Sequence, residues 1–130
     1  MPLIIIEPFQ KAVLKLEEIL VMPKDEIVRD ATVQRFEYSF ELAYKMIKRF
    51  LKEVYNHDDD IFVEMLKNAA KVGLIDDYQS WQTFRQARNY TSHNYSENGA
   101  DYSYRQAQIF AVYARILVRK LEEINNKLTS

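Results

Sequence analysis

Val33-Gln34-Arg35-Phe36-Glu37-Tyr38-Ser39-Phe40-Glu41-Leu42-Ala43-Tyr44-Lys45-Met46-Ile47-Lys48-Arg49-Phe50-Leu51-Lys52-Glu53-Val54 places apolar side chains at 33, 36, 40, 43, 47, 50 and 54. The steps alternate three and four. An α-helix turns once in 3.6 residues, so this spacing lays the apolar groups along one narrow stripe. Such a stripe is the seam along which a long helix packs on another at a shallow angle. Ala107, Phe110, Ala114, Leu117, Leu121, Ile124 and Leu128 form a second seam with the same spacing. The simplest arrangement sets the two long helices as an antiparallel pair, with shorter helices completing an all-α, antiparallel up-and-down bundle of four to five helices.

The shorter elements have their own signals. Pro8 opens a first helix through Phe9, Ala12, Val13, Leu16, Ile19 and Leu20, and Met22-Pro23 stops it. Asp25 or Asp30 caps the long helix that follows. His57-Asp58-Asp59-Asp60 has metal-ligand chemistry, but acidic residues ahead of Ile61, Phe62, Met65, Leu66, Ala69 and Ala70 are better explained as the cap of a third helix. Gly73 ends that helix in a left-handed conformation. Asp76 with Gln79 reads as a capping box for a fourth helix through Tyr78, Trp81, Phe84 and Arg88. Ser96-Glu97-Asn98-Gly99 is turn chemistry before the last helix.

Composition narrows the class further. Two glycines and three prolines in 130 residues are too few for the turns of an all-β chain, and 48% hydrophobic content can fill a core, so residues 1–130 read as one domain. A formal net charge of −1 gives no global attraction to nucleic acid or anionic membrane, so any RNA contact must be local. The absence of cysteine excludes disulfides and Cys-based metal sites, and Leu3-Ile4-Ile5-Ile6 is too short to span a membrane. The expectation is a cytoplasmic protein with no membrane association.

The chemistry concentrates in Arg88-Asn89-Tyr90-Thr91-Ser92-His93-Asn94-Tyr95. Arginine offers a permanently charged fork of donors to phosphate and histidine moves protons near neutrality, a combination suited to phosphodiester chemistry. Five residues on a regular helix amount to roughly 140° of rotation, so Arg88 and His93 do not share a face. Either the helix breaks after Arg88 or two copies of the motif meet across an interface. Arg85, one turn before Arg88, and Arg105 supply further cations for a phosphate patch, although a solvated helix face has the same composition. Glu41 and Lys45 have the order of a surface i, i+4 pair. Glu37 and Glu41 are spaced like a carboxylate pair in a metal-binding bundle, but neither begins a Glu-x-x-His signature. The nine tyrosines suit core and interface equally.

Gln34 to Lys45, followed by Trp81, Arg88-Asn89 and His93-Asn94-Tyr95, resembles the two signatures of the nucleotidyltransferase substrate-binding protein family. The second matches the R-x-x-x-x-H-x-Y motif of the HEPN superfamily, and the resemblance covers nearly the whole chain. One departure is Tyr44, where many members carry tryptophan; the swap keeps an amphipathic aromatic. The resemblance implies a homodimeric helical bundle with a cognate minimal nucleotidyltransferase as partner. It also implies a toxin of a toxin-antitoxin pair, a metal-independent endo- or exoribonuclease that uses no cofactor. On that reading Arg88, Asn89 and His93 are catalytic and Tyr95 is the site at which the partner attaches AMP. Arg85, Tyr90 and Arg105 are the substrate-binding candidates on an RNA bound between protomers, with Trp81 or nearby tyrosines buried by the twin. The rival expectation is a non-catalytic adaptor that binds nucleotide for the transferase; a third makes Arg88 and His93 mere dimer contacts.

Overall fold

The computed structural model describes residues 4–93 and 96–129, with side chains described up to 90 and from 96 to 128. Among the described residues five helices follow one another: α1 (Glu7–Leu20), α2 (Glu26–Tyr55), α3 (Phe62–Lys71), α4 (Tyr78–His93) and α5 (Glu97–Thr129). The all-α bundle is as expected. Among the described residues there is no strand.

Cross-helix contacts give the directions. Gln10 meets Glu122 and Glu17 meets Arg115, so α1 runs antiparallel to α5. Tyr113 meets Asp77, Phe110 meets Phe84, and Tyr102 meets Tyr90, so α4 does too. Arg29 meets Glu97 and Phe36 meets Phe110, so α2 and α5 run parallel. The expected antiparallel pairing of the two long helices is therefore corrected. Ten-residue α3 covers only about 15 Å and does not traverse the bundle, leaving α4 as the return stroke that starts α5 at the same end as α2.

One cluster of buried side chains draws on all five helices. At its centre Phe110, fully buried, touches four rings: Phe36 at 5.3 Å, Phe84 at 5.4 Å, Trp81 at 5.7 Å and Phe40 at 5.9 Å between centroids. Most of these are edge-to-face, the arrangement the aromatic quadrupole favours. Trp81 is 2% exposed within its own chain, which removes it from the expected partner interface. The α2 seam is buried from Val33 to Leu51, whereas Val54, and Leu128 on α5, emerge into solvent near their helix ends.

The caps differ in detail from the sequence expectation. Asp25 accepts from the Val28 N–H at 2.7 Å and so begins α2, which ends at Asn56 with a left-handed φ of 57°. Gly73 has the expected positive φ, 82°. The acidic run does not cap α3, whose N-cap is Ile61; Asp59 instead accepts from the Asn68 side chain at 2.8 Å. The cap of α4 is Asp77 and not Asp76, because the helix begins at Tyr78 and only Asp77 can reach the Ser80 N–H, at 2.9 Å. Asp76 pairs with Lys120. Glu97 to Gly99 are helical and not a turn: the Ser96 hydroxyl accepts from the Gly99 N–H at 3.1 Å and starts α5 one residue after the cap.

Candidate functional site

Arg88 projects from α4 toward α2. Its Nη2 donates to Glu41 Oε2 at 3.0 Å and its Nη1 to Asn89 Oδ1 at 3.4 Å. Arg88 and Glu41 are 36% and 42% exposed, so the pair sits at the rim of the bundle, where a ligand can reach it. Glu41 is the residue that sequence reasoning assigned elsewhere. The expected bond to Lys45 is not formed; the carboxylate turns across to α4. The sequence carried no signal of this partner: Glu41 follows Gln34 and Tyr38 on the solvent side of the α2 seam, which suits the Lys45 pairing equally well.

Two clefts flank Arg88. One, about 190 Å³, lies between α2, α3 and α4 and is lined by Phe40, Glu41, Tyr44, Phe62, Arg85, Arg88 and Asn89. Tyr44 stacks on Phe62 with ring centroids 5.4 Å apart and planes 2° from parallel, and the Arg85 guanidinium lies 4.3 Å from the Phe62 ring centre. The cation–π contact holds Arg85 beside Arg88, so two guanidinium groups one helical turn apart face the same small cleft. The other cleft, about 450 Å³, runs over α2 between Gln34, Glu37, Tyr38, Leu42, Lys45 and Arg88.

The remaining expected residues are placed less closely together. Tyr90 is 40% exposed and meets Tyr102 edge-on at 6.0 Å. Arg105 is exposed on α5 and lines neither of the Arg88 clefts. Helix α4 runs unbroken through His93, so of the two alternatives the break after Arg88 does not occur. The His93 side chain and Tyr95 lie outside the described residues. Among the described residues no group of three or more His, Asp or Glu side chains is arranged to hold a metal ion, and no helix is long and apolar enough to cross a membrane.

The start of α5 is fixed from α2. Arg29, 6% exposed, donates to Glu97 at 2.7 Å and to Asp30 at 3.1 Å and lies 3.5 Å from Asp101, which Lys24 also contacts at 3.1 Å. Lys24, and secondarily Arg29, hold the Asp101 carboxyl below its ordinary range. At the opposite end of α4 the Ser80 hydroxyl and N–H, with help from the Tyr113 hydroxyl, do the same to Asp77. Both ends of the α4–α5 hairpin are thereby tied down.

Comparison with known proteins agrees with this architecture. The family described as "Nucleotidyltransferase substrate binding protein like" matches residues 5–123. The chain is 35% identical over 106 residues to a Haemophilus influenzae protein named "Probable ribonuclease HepT", covering 78% of this chain and 72% of that one. Among solved structures, a Haemophilus influenzae protein described as revealing the fold of a substrate binding domain of a nucleotidyltransferase superposes with a TM-score of 0.80. It has 27% identity, with 91% of this chain and 99% of that one covered. A Thermus thermophilus protein superposes with a TM-score of 0.79 at 26% identity, over 87% and 98% of the two chains. From its helices, its signatures and these relatives, the chain belongs to the nucleotidyltransferase substrate-binding protein family of the HEPN superfamily.

Proposed function

We propose that this chain is a metal-independent ribonuclease, the toxin of a pair whose other member is a nucleotidyltransferase. The observation that carries the proposal is Arg88, held by Glu41 and Asn89 at the rim of a cleft that also holds Arg85. Similarity to a relative named as a ribonuclease supports it. In the proposed reaction Arg88 stabilises charge developing on the phosphorus centre and Asn89 orients the phosphate. His93 of the twin protomer moves the proton at the ribose 2′-hydroxyl or at the leaving oxygen. The functional unit is a cytoplasmic homodimer with two copies of the motif facing each other; Tyr90 is the aromatic exposed for that contact. Arg85, Tyr90 and Arg105 are the further candidates for binding RNA.

The partner's proposed control is transfer of AMP from ATP to Tyr95: the phenol oxygen bonds to the α-phosphorus, pyrophosphate leaves, and the phenolic proton passes to solvent. A phenolic AMP ester puts bulk and negative charge two residues from His93, and like-charge repulsion then opposes an RNA phosphate. Expression of the chain alone should arrest growth and cleave RNA, and co-expression with its nucleotidyltransferase should relieve both. Loss of cleavage in Arg88→Ala and in His93→Ala, with the dimer intact, is required. A Tyr95→Phe chain that is neutralised as completely as wild type would place control in complex formation instead.

A second reading, the adaptor, draws on the structural relative described as a nucleotidyltransferase substrate-binding domain. On it Arg88 and Arg85 bind a nucleotide phosphate without cleaving it. Harmless expression and intact RNA, together with saturable nucleotide binding lost in Arg88→Ala, would favour it.

A further inference from the structure

The Arg88 cleft does not end at α2. Gln34 and Tyr38 line the 450 Å³ cleft that reaches Arg88, and the same two residues line a separate groove of about 670 Å³ between α1 and α2. The α1–α2 groove is lined by Ile5, Pro8 and Ala12 and carries Lys11, Lys15 and Arg35. Tyr38, 55% exposed, stands where the two meet. Along α2, Gln34, Tyr38, Glu41 and Lys45 succeed one another at steps of four, three and four, so they share one face, and the stretch from Gln34 to Lys45 spans about 16 Å at the helical rise.

We infer that this continuous trough, from Arg88 past Tyr38 into the α1–α2 groove, is the track for the single strand of RNA flanking the cleavage site, with a base stacked on Tyr38 and phosphates on Lys15 and Arg35. The inference rests on the ribonuclease reading of the Arg88 site. Three features favour nucleic acid over a peptide. Lys15 and Arg35 line the α1–α2 groove beside a Lys11–Glu7 ion pair of 2.9 Å, and along the whole trough five cations, with Lys45 and Arg88, face three carboxylates, Glu7, Glu37 and Glu41. Arg35 is held in place because its Nη1 donates to the Lys15 carbonyl at 2.6 Å, leaving its remaining donors for a phosphate. An exposed aromatic between cations is the arrangement by which proteins hold single strands without reading sequence, stacking on the base and pairing with the backbone. Balanced net charge is consistent with this, since the cations act locally and bulk RNA is not attracted from a distance.

The test is fluorescence anisotropy with labelled single-stranded RNA, a dinucleotide and a dodecamer, on the full chain carrying His93→Ala so that cleavage does not intervene. Tyr38→Ala should weaken the dodecamer by about 5- to 150-fold, the range for losing one stacked base, and Tyr38→Trp should restore it. Lys15→Ala should lower the salt slope of log affinity by about 0.7. Both losses should be smaller for the dinucleotide, whereas Arg88→Ala should weaken both RNAs. Tyr38 and Lys15 are exposed, so unchanged thermal midpoints are expected and are measured alongside.

If Arg88→Ala weakens binding while Tyr38→Ala and Lys15→Ala do not, the track is wrong and the Arg88 site stands. If Tyr38 and Lys15 matter and Arg88 does not, the groove is not continuous with an Arg88 site and both readings fail. If no RNA binds but the nucleotidyltransferase partner protects Tyr38 from chemical modification, the groove is a protein-docking surface and the inference is overturned.

Discussion

Glu41→Gln separates two roles for a carboxylate 3.0 Å from the arginine to which the proposed reaction assigns charge stabilisation. If Glu41 only tethers Arg88, an incoming phosphate competes with it, and the substitution should improve phosphate binding. The pair is more than a third exposed on each side, so its net worth is that of a surface ion pair, about 0.2–1 kcal/mol. RNA should therefore bind about 1.4- to 5-fold more tightly to Glu41→Gln, with a fall in stability of no more than about 1 kcal/mol. A general base would behave otherwise, with cleavage falling roughly 10²- to 10⁴-fold and affinity nearly unchanged. The two windows do not overlap. Anisotropy on a His93→Ala background gives the first number and single-turnover cleavage in the otherwise wild-type chain gives the second. A hundredfold loss of cleavage would refute the tether, and weaker RNA binding would refute the competition between Glu41 and phosphate.

Other outcomes follow from the scaffold. Phe110→Ala removes the ring that touches Phe36, Phe40, Trp81 and Phe84, and should cost near the upper end of the range for such truncations, about 5 kcal/mol, read from the urea midpoint. Asp77→Ala removes the α4 cap and should cost about 0.5–2 kcal/mol. Because the folded Asp77 carboxyl is held below its ordinary 3.8, its contribution is full above that value and lost as pH falls through the lower folded one; Asp77→Asn should flatten the acid limb of stability in that window. Val112→Asp acts on an exposed α5 stripe of Ile109, Val112 and Ile116; sedimentation should still show a dimer if the motif face forms the interface, and a monomer would move the interface to α5.

The seams of α2 and α5, the Pro23 stop and the left-handed Gly73 were legible because each depends on a periodicity or backbone preference within a few residues, whereas the choice of Asp25 over Asp30 as the α2 cap came only with the helix start. The relative direction of α2 and α5 was not. It depends on whether α3 crosses the bundle, and ten residues with an apolar face are compatible with crossing or with lying across its end. Cap positions slipped by one residue at α4 because Asp76 and Asp77 are chemically identical, and only the helix start decides which can reach the Ser80 N–H. Of the site, the motif was visible on the sequence and its setting was not. Glu41 and Arg88 are 47 residues apart, and no local rule makes a carboxylate prefer a distant guanidinium to a lysine one turn away.

That preference is a consequence of packing. Phe40, Trp81, Phe84 and Phe110 interlock α2, α4 and α5, and they do so within one helical turn of Glu41 on α2 and about one to two turns of Arg88 on α4. The backbones that carry the ion pair are thus fixed by buried rings, while the pair itself remains at the surface. A rim cation positioned in this way avoids the desolvation cost of a buried charge, and the helix that carries it keeps its place without relying on the weak strength of the pair. The exchange of Glu41 for phosphate that the Glu41→Gln test probes would leave α4 in register with α2, because the aromatic layer beneath, and not the salt bridge, sets that register. The fold supplies rigidity where α4 meets the core and sets Arg88 at the rim, the placement that the proposed phosphate contact requires.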